Sequence, residues 1–332
     1  MKKLLTTILL LVTLVFCLTG CGSIAMGFDA PYWHNELAFT GYTHFYEKIE
    51  YDVKVVTSTP SNSSEVKNDK AKMEITSSSY VTELEMTEDG RYTYKTTLLV
   101  TGNFVVNDEV FPFNNDLTTT TIFENFSKDF APVSSTRESK SSSSIYIAST
   151  GYEVYDLAYN YTITYSDNKA ETTYVLKNNS GDGEEQTSSN TYKKYNKNGY
   201  IDNNLLTLLP RAYKLDEPFS KKFSSIDVVT QKNTKLRYYA ASTDASTADV
   251  KKFNLEYLKD DTTFNGEISC AKVNIMQDDT FSGSAIEAYY ALDDLAPTLH
   301  KEHNHRLIKA YTLINDNLGY LEYTIKSVTY KK

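Results

Sequence analysis

Alternation between apolar and polar residues is the feature that most constrains the fold of this 332-residue chain. In segment 45–55, for example, Ile49, Tyr51 and Val53 share one parity, while charged residues occupy the other. Side chains two positions apart point to the same face of a strand, so this pattern is typical of a half-buried antiparallel strand. The chain also holds 27 tyrosines, a residue type that favours strands. The sequence therefore predicts a mostly β protein.

Many further strands follow from the same pattern, separated by polar turns. They are predicted at 72–86, 92–106, 109–113, 117–124, 134–147, 155–165, 173–175, 224–230, 235–240, 266–276, 283–292, 307–313 and 319–330. A hairpin turn is predicted at 88–91, where Glu-Asp-Gly-Arg interrupts the alternation. Strand 155–165 carries an aromatic stripe that ends at Tyr165. This stripe fits either a core face or the wall of a groove for a glycan or lipid.

One segment, residues 202–212, departs from the period of two. Leu205, Leu208, Leu209 and Ala212 have helical spacing, and Asp202 or Asn203 is suited to cap a helix start. Pro210 should end or kink the helix, because its ring nitrogen cannot donate a hydrogen bond. A short apolar helix between two blocks of strands is expected to pack on the concave face of a curved sheet.

The layout of the C-terminal half resembles the LolA-type half-barrel. The resemblance rests on the leucines at 205, 206, 208 and 209 and on the predicted strands 288–292, 306–311 and 319–330. It implies a strongly curved antiparallel sheet, or half-barrel, wrapped on a helical lid. Because folds of this type carry acyl chains in an apolar cavity, it also implies a hydrophobic ligand.

The N-terminus has the layout of a signal peptide. Lys2 and Lys3 precede an apolar run too short to span a bilayer, and Leu18-Thr19-Gly20-Cys21 follows it. These four residues resemble the lipobox of bacterial lipoproteins. The resemblance implies cleavage before Cys21, acylation of its thiol with chains such as palmitate, and an extracytoplasmic protein anchored by lipid to a bacterial cell membrane.

The predicted organisation is a signal peptide at 1–20, a tether at 21–40 and a single antiparallel β domain at 41–332. Trp33 lies within the tether and has two interpretations. It could anchor the tether at the level of the lipid headgroups, or it could dock the tether onto the domain.

Charge and cysteine content exclude several classes of protein. The net charge is −9, and loss of the two lysines of the signal peptide makes it more negative, which argues against nucleic acid as a partner. Besides Cys17 and Cys21, the chain has only Cys270, so the mature protein cannot form an internal disulfide. Cys270 stands in an apolar alternation and is expected to be a buried structural thiol.

Few residues suggest a metal site or catalysis. His300, His303 and His305 with Glu302 could bind a metal, but a solvated loop is the favoured interpretation. The acidic pairs could serve calcium binding or glycoside hydrolysis, but they fit strand-ending turns better. These pairs are Asp260-Asp261, Asp278-Asp279 and Asp293-Asp294. We predict no catalytic residue, no metal and no cofactor.

The sequence thus favours non-enzymatic binding or scaffolding at the cell envelope, with an apolar ligand in the concavity as the specific form. The alternatives are a surface module that reads a glycan or a protein, and a hydrolase with carboxylates from distant strands. A wide apolar cavity under the helix would favour the carrier, a filled core with an exposed aromatic face would favour the module, and two convergent carboxylates in a cleft would favour the hydrolase.

Overall fold

The computed structural model describes most of the chain from residue 27 to residue 331. The described ranges are 27–34, 45–62, 71–147, 151–177, 185–193, 200–216, 220–226, 228, 235–241, 250–277, 286–292, 305–315 and 318–331. Cys21, and with it the signal peptide, lies outside them. Within these ranges no helix is long and apolar enough to cross a membrane.

Fifteen described strands form one sheet. They are β1 (Tyr46–Val56), β2 (Ala71–Met86), β3 (Tyr92–Val106), β4 (Glu109–Phe123), β5 (Pro132–Ile147), β6 (Gly151–Tyr165), β7 (Ala170–Leu176), β8 (Gln186–Tyr192), β9 (Ser220–Ile226), β10 (Lys235–Ala241), β11 (Val250–Lys259), β12 (Thr262–Gln277), β13 (Ile286–Ala291), β14 (Leu307–Asn315) and β15 (Gly319–Lys331). The chain is therefore mostly β, as the alternation predicts.

The strand order is β8-β7-β6-β5-β4-β3-β2-β1-β15-β14-β13-β12-β10-β9. Strands β1 to β8 form an antiparallel meander in which each strand pairs with the next along the chain. The first strand also pairs with the last, and this pairing joins the two blocks of the sheet. Successive strands of the meander can pair through short turns because they are antiparallel.

Strand β11 closes part of the sheet into a ring. It pairs antiparallel with β12 and, over two residue pairs, parallel with β15, so β11, β12, β13, β14 and β15 make a closed circuit. Inside the ring, the aromatic side chain of Phe253 contacts Tyr289, with the ring centroids 5.0 Å apart. Closure removes sheet edges, which otherwise expose unpaired backbone groups.

Strand β13 is buried on both faces. The hydroxyl group of Tyr290 donates to the carbonyl of Thr207 at 2.9 Å, on the concave side of the sheet. Its neighbour Tyr289 points into the ring, because adjacent side chains of a strand lie on opposite faces. This explains why Ala288 and Ala291 are buried as well and why β13 is apolar without alternation.

The apolar segment 202–212 lies against the sheet as predicted, but its conformation differs. It forms two short 3-10 helices, Asn203–Leu205 and Leu209–Ala212, instead of one helix. Pro210 lies in the first turn of the second 3-10 helix. Backbone N–H groups in a first turn have no acceptor within the helix, so the missing N–H of proline costs no hydrogen bond there. The proline thus divides the segment into two tight turns that keep its leucines on the sheet.

Other differences concern strand limits. The two strands predicted at 109–113 and 117–124 are one 15-residue strand, β4. Strands β8 and β11 lie in segments where none was predicted. The predicted turn at 88–91 connects β2 to β3, and Gly90 adopts a φ of 78°, which favours glycine.

Candidate functional site

A buried plug, which we define as residues 201–213, fills the middle of the concave face. Leu205, Leu208 and Leu209 are almost fully buried in the main core. Polar bonds also connect the plug to the meander. The carboxylate of Asp202 accepts from Asn204 N at 3.0 Å, from Thr121 Oγ1 at 3.1 Å and from the Tyr165 hydroxyl at 2.8 Å. The plug is therefore bound to the sheet by both apolar and polar contacts.

A buried charge cluster joins the end of the plug to the two blocks of the sheet. Arg211 makes a bidentate pair with the Glu47 carboxylate, with N···O distances of 2.6 and 3.1 Å. The same carboxylate accepts from Arg306 Nε at 3.2 Å and from the Tyr330 hydroxyl at 2.9 Å. Burial alone would raise the pKa of Glu47, but the two guanidinium groups outweigh it and hold that pKa below 4.5.

Residues 27–34 pack against this same end of the plug. Asp29 N donates to the carbonyl of Ala212 at 2.9 Å, and Lys214 N donates to the Asp29 carboxylate at 2.9 Å. Phe28 stacks on Tyr213, and Trp33 is 1% exposed, with the Arg211 guanidinium 6.0 Å from its ring. Of the two interpretations of Trp33, docking onto the domain is the one the structure supports.

A small pocket lies beside the plug. It has a volume of about 160 Å³, and its lining is largely apolar apart from hydroxyl groups. The lining residues are Tyr80, Thr207, Ile286, Leu307, Ala310, Thr312 and Tyr323. A cavity of about 150 Å³ can hold a benzene-sized group, whereas ligand sites for larger molecules span about 300–1,000 Å³. This pocket is therefore too small to enclose an acyl chain.

An arginine on β5 stands among tyrosines on the concave face, and we call Arg137, Tyr159, Tyr161 and Tyr174 the aromatic–arginine site. The rings of Tyr159 and Tyr174 stack with centroids 5.3 Å apart, and those of Tyr159 and Tyr161 with centroids 6.5 Å apart. The guanidinium of Arg137 lies 5.2 Å from the centroid of the Tyr161 ring, and its Nε donates to Thr119 Oγ1 at 2.9 Å. Strands β4 to β7 together position these groups.

Arg137 differs from the other arginines whose side chains the structure describes. Arg91, Arg211 and Arg306 each pair with a carboxylate. Among the described residues no carboxylate oxygen lies within 4.0 Å of Arg137, which is half-buried. Asp202, on the same side of the sheet, raises the pKa of Arg137 through electrostatic attraction without an ion-pair contact.

The protonation states give the aromatic–arginine site a positive charge. Burial lowers the pKa of Arg137, but Tyr161 and Tyr159 raise it more, so the net shift is upward. Burial raises the pKa of Tyr161 well above its ordinary value of 10.0. At neutral pH the guanidinium is charged and Tyr161 is neutral, so the arrangement favours an anionic group.

A second group of charges, on the opposite face of the sheet, is already paired. Glu322 contacts Lys54 Nζ at 2.9 Å and Lys309 Nζ at 3.4 Å. Burial alone would raise the pKa of Glu322, but bonds from Lys54 and Tyr311 lower it overall. Both ammonium groups therefore share this one carboxylate.

The residues that the sequence marks for chemistry are not brought together in the described parts. His300, Glu302 and His303 lie outside these parts, while His305 is buried and stacks on Tyr32 at 4.4 Å. The pairs Asp278-Asp279 and Asp293-Asp294 are also outside. Asp260 lies in the turn between β11 and β12 and accepts from Tyr330 N at 2.9 Å.

Cys270 is fully buried and unbridged, as its apolar alternation predicts. In the described ranges, no group of three or more histidine, cysteine, aspartate or glutamate side chains could hold a metal ion. The aromatic–arginine site escaped sequence reasoning, apart from Tyr159 and Tyr161, which belong to the stripe already identified.

Fold and site together define a barrel-like antiparallel β protein with a filled concave face. No family model matches the chain, and no curated protein matches it. Among solved structures, it is similar to the crystal structure of a β-barrel-like protein of the domain of unknown function DUF1849 from Brucella abortus. The two are 9% identical with a TM-score of 0.45, and the match covers 87% of this chain and 98% of the other.

Proposed function

We propose that the chain is a lipid-anchored binding module on the extracytoplasmic face of a bacterial membrane, with the aromatic–arginine site as its binding site. The observation that carries the binding role is the half-buried guanidinium of Arg137, which has no carboxylate within ion-pair distance among the described residues. The lipid anchor rests on the lipobox at Cys21.

The chemistry of the site favours a carboxylate-bearing glycan. A guanidinium binds a carboxylate through two parallel charge-assisted hydrogen bonds, which are stronger than neutral ones. The half-buried phenol ring of Tyr159 stacks on the buried rings of Tyr161 and Tyr174, so a sugar ring would contact its exposed rim.

Binding should depend on the charge of Arg137. We expect a soluble Cys21→Ser form to bind a hexamer of galacturonic acid saturably and to bind a hexamer of galactose far more weakly. Arg137→Gln should weaken the acidic glycan at least about tenfold, because hydrogen bonds to charged groups contribute about 1.5–3 kcal/mol. Isothermal titration calorimetry measures both effects.

Arg91→Gln is the matched control, since Arg91 is a partly exposed arginine already paired with Asp89 and Glu124. It should bind like the parent protein. Equal losses in the two variants, or no binding of the acidic hexamer by the parent, would contradict the proposed site. A hexapeptide of glutamate, measured alongside, distinguishes recognition of the sugar from recognition of any carboxylate.

An apolar-ligand carrier is the second candidate, favoured by the largely apolar pocket beside the plug. Its volume of about 160 Å³ limits the occupant to one small apolar group. Saturable binding of benzene by the soluble form, abolished by Ala310→Phe inside the pocket, would place this candidate ahead.

Cys21→Ser should release the protein from membranes. Acylation supplies about 0.8 kcal/mol per buried methylene, and two chains give stable anchoring where one does not. Cells fed labelled palmitate and then fractionated provide the measurement. Cys17→Ser, four residues upstream, is the control and should keep both the label and the membrane association. Unchanged label in Cys21→Ser would refute the lipoprotein assignment.

A further inference from the structure

The distance between the anchor position and the folded domain is short. Gly27 is the first described residue, and Phe28 and Asp29 are already packed on the plug. Only five residues separate Cys21 from Gly27. A chain spans at most about 3.6 Å per residue, so the acylated cysteine cannot be more than about 25 Å from the docking point of Phe28.

An exposed aromatic side chain lies next to that docking point. Phe126 belongs to the 3-10 turn Phe126–Lys128 that follows β4, and it is 40% exposed. The centroid of its ring lies 5.8 Å from that of Phe130, and the centroid of the Phe130 ring lies 5.0 Å from that of Phe28. Lys128, in the same turn, is exposed and pairs with Glu124. We call the surface formed by residues 126–128, above the buried rings of Phe28 and Phe130, the anchor pole.

We propose that the anchor pole faces the bilayer and that Phe126 enters the lipid headgroup region. This orientation rests on the proposed lipid anchor at Cys21. Aromatic side chains are favoured at the membrane interface, where their rings leave water. The partner is a zwitterionic lipid surface, because Lys128, the basic residue of the turn, already pairs with Glu124.

The orientation makes the far ends of the long strands point away from the membrane. Strand β4 runs from Glu109 to Phe123, and at about 3.3 Å per residue it places its first residues roughly 40 Å from the anchor pole. Val110 lies there and is 52% exposed. Phe126 and Val110 are thus two exposed apolar residues at opposite ends of one strand.

Tryptophan fluorescence in vesicles containing brominated phosphatidylcholine tests the orientation. The full lipidated chain is reconstituted as the wild type, as Phe126→Trp and as Val110→Trp. Trp33 is the single native tryptophan, so its signal is measured in the wild type and subtracted. We expect bromine to quench the added emission of F126W several-fold more than that of V110W.

Separate readouts distinguish this proposal from the anchor itself. Each protein is first tested for flotation with the vesicles. Flotation with equal quenching of the two variants, or with stronger quenching of V110W, would overturn the orientation alone. Failure of the wild type to float would overturn the lipid anchor and the orientation with it.

Discussion

Leu208→Asp is expected to unfold most of the domain, not only the plug. Leu208 is 1% exposed, and the substitution places a carboxylate without a partner in the apolar core. Burying an unpaired charge costs several kcal/mol, which is a large part of the roughly 5–15 kcal/mol that stabilises a typical domain. Chemical denaturation followed by tyrosine and tryptophan fluorescence gives the change in the free energy of unfolding.

The loss should be global because the plug contacts several parts of the fold at once. Asn204 accepts from Thr96 of β3 at 2.7 Å, Asp202 accepts from Tyr165 of β6, and Thr207 accepts from Tyr290 of β13. Without the plug these strands lose their shared core. Hydrogen exchange should therefore become faster in β3, β6 and β13 together.

Leu99→Asp is the matched control. It makes the same chemical change at a leucine of β3 that is 42% exposed, and surface substitutions of this kind usually cost about 0.5 kcal/mol or less. If L208D lost no more free energy of unfolding than L99D, or if its hydrogen exchange became faster only in residues 201–213, the plug would not support the sheet.

The β architecture could be predicted from the sequence because it has a local signature. Alternation fixes which residues of a strand face the core, and the leucines around 208 have no other apolar surface to cover. Strand β11 also carried a signal, since Phe253, Leu255 and Tyr257 alternate with polar residues. Strand β8 has the sequence Gln-Thr-Ser-Ser-Asn-Thr-Tyr and gives no such signal.

The candidate site and the charge cluster could not be predicted in this way. Arg137 lies in a serine-rich strand, and Tyr161 and Tyr174 reach it only through pairing of β5, β6 and β7. Glu47 is 164 residues from Arg211 and 259 residues from Arg306 along the chain. Such contacts depend on the curvature of the sheet and on the path of the plug, which no local pattern encodes.

Glu47→Gln is expected to destabilise the protein by about 3–5 kcal/mol at neutral pH, since removing one partner of a buried pair leaves uncompensated charge. Here the charge consists of the guanidinium groups of Arg211 and Arg306, both fully enclosed with Glu47. Glu138→Gln is the control, because its carboxylate pairs with Lys140 on the surface, where such pairs contribute about 0–1 kcal/mol.

The effect of Glu47→Gln should shrink in acid, and the direction follows from the pKa of Glu47. The folded protein holds that pKa below 4.5, so the native state binds the proton less readily than the unfolded chain. Stability from the Glu47 carboxylate is therefore fully present above about pH 5 and is lost as pH falls through the folded pKa. The glutamine side chain cannot titrate, so the difference in free energy of unfolding between wild type and variant should narrow from pH 7 towards about pH 3.

Other carboxylates with lowered pKa values, such as Glu83 and Glu124, do not affect this comparison. Their protonation in acid destabilises wild type and variant alike and cancels in the difference. A gap that stays constant over this range would mean that the glutamine variant is destabilised by packing and not by loss of charge.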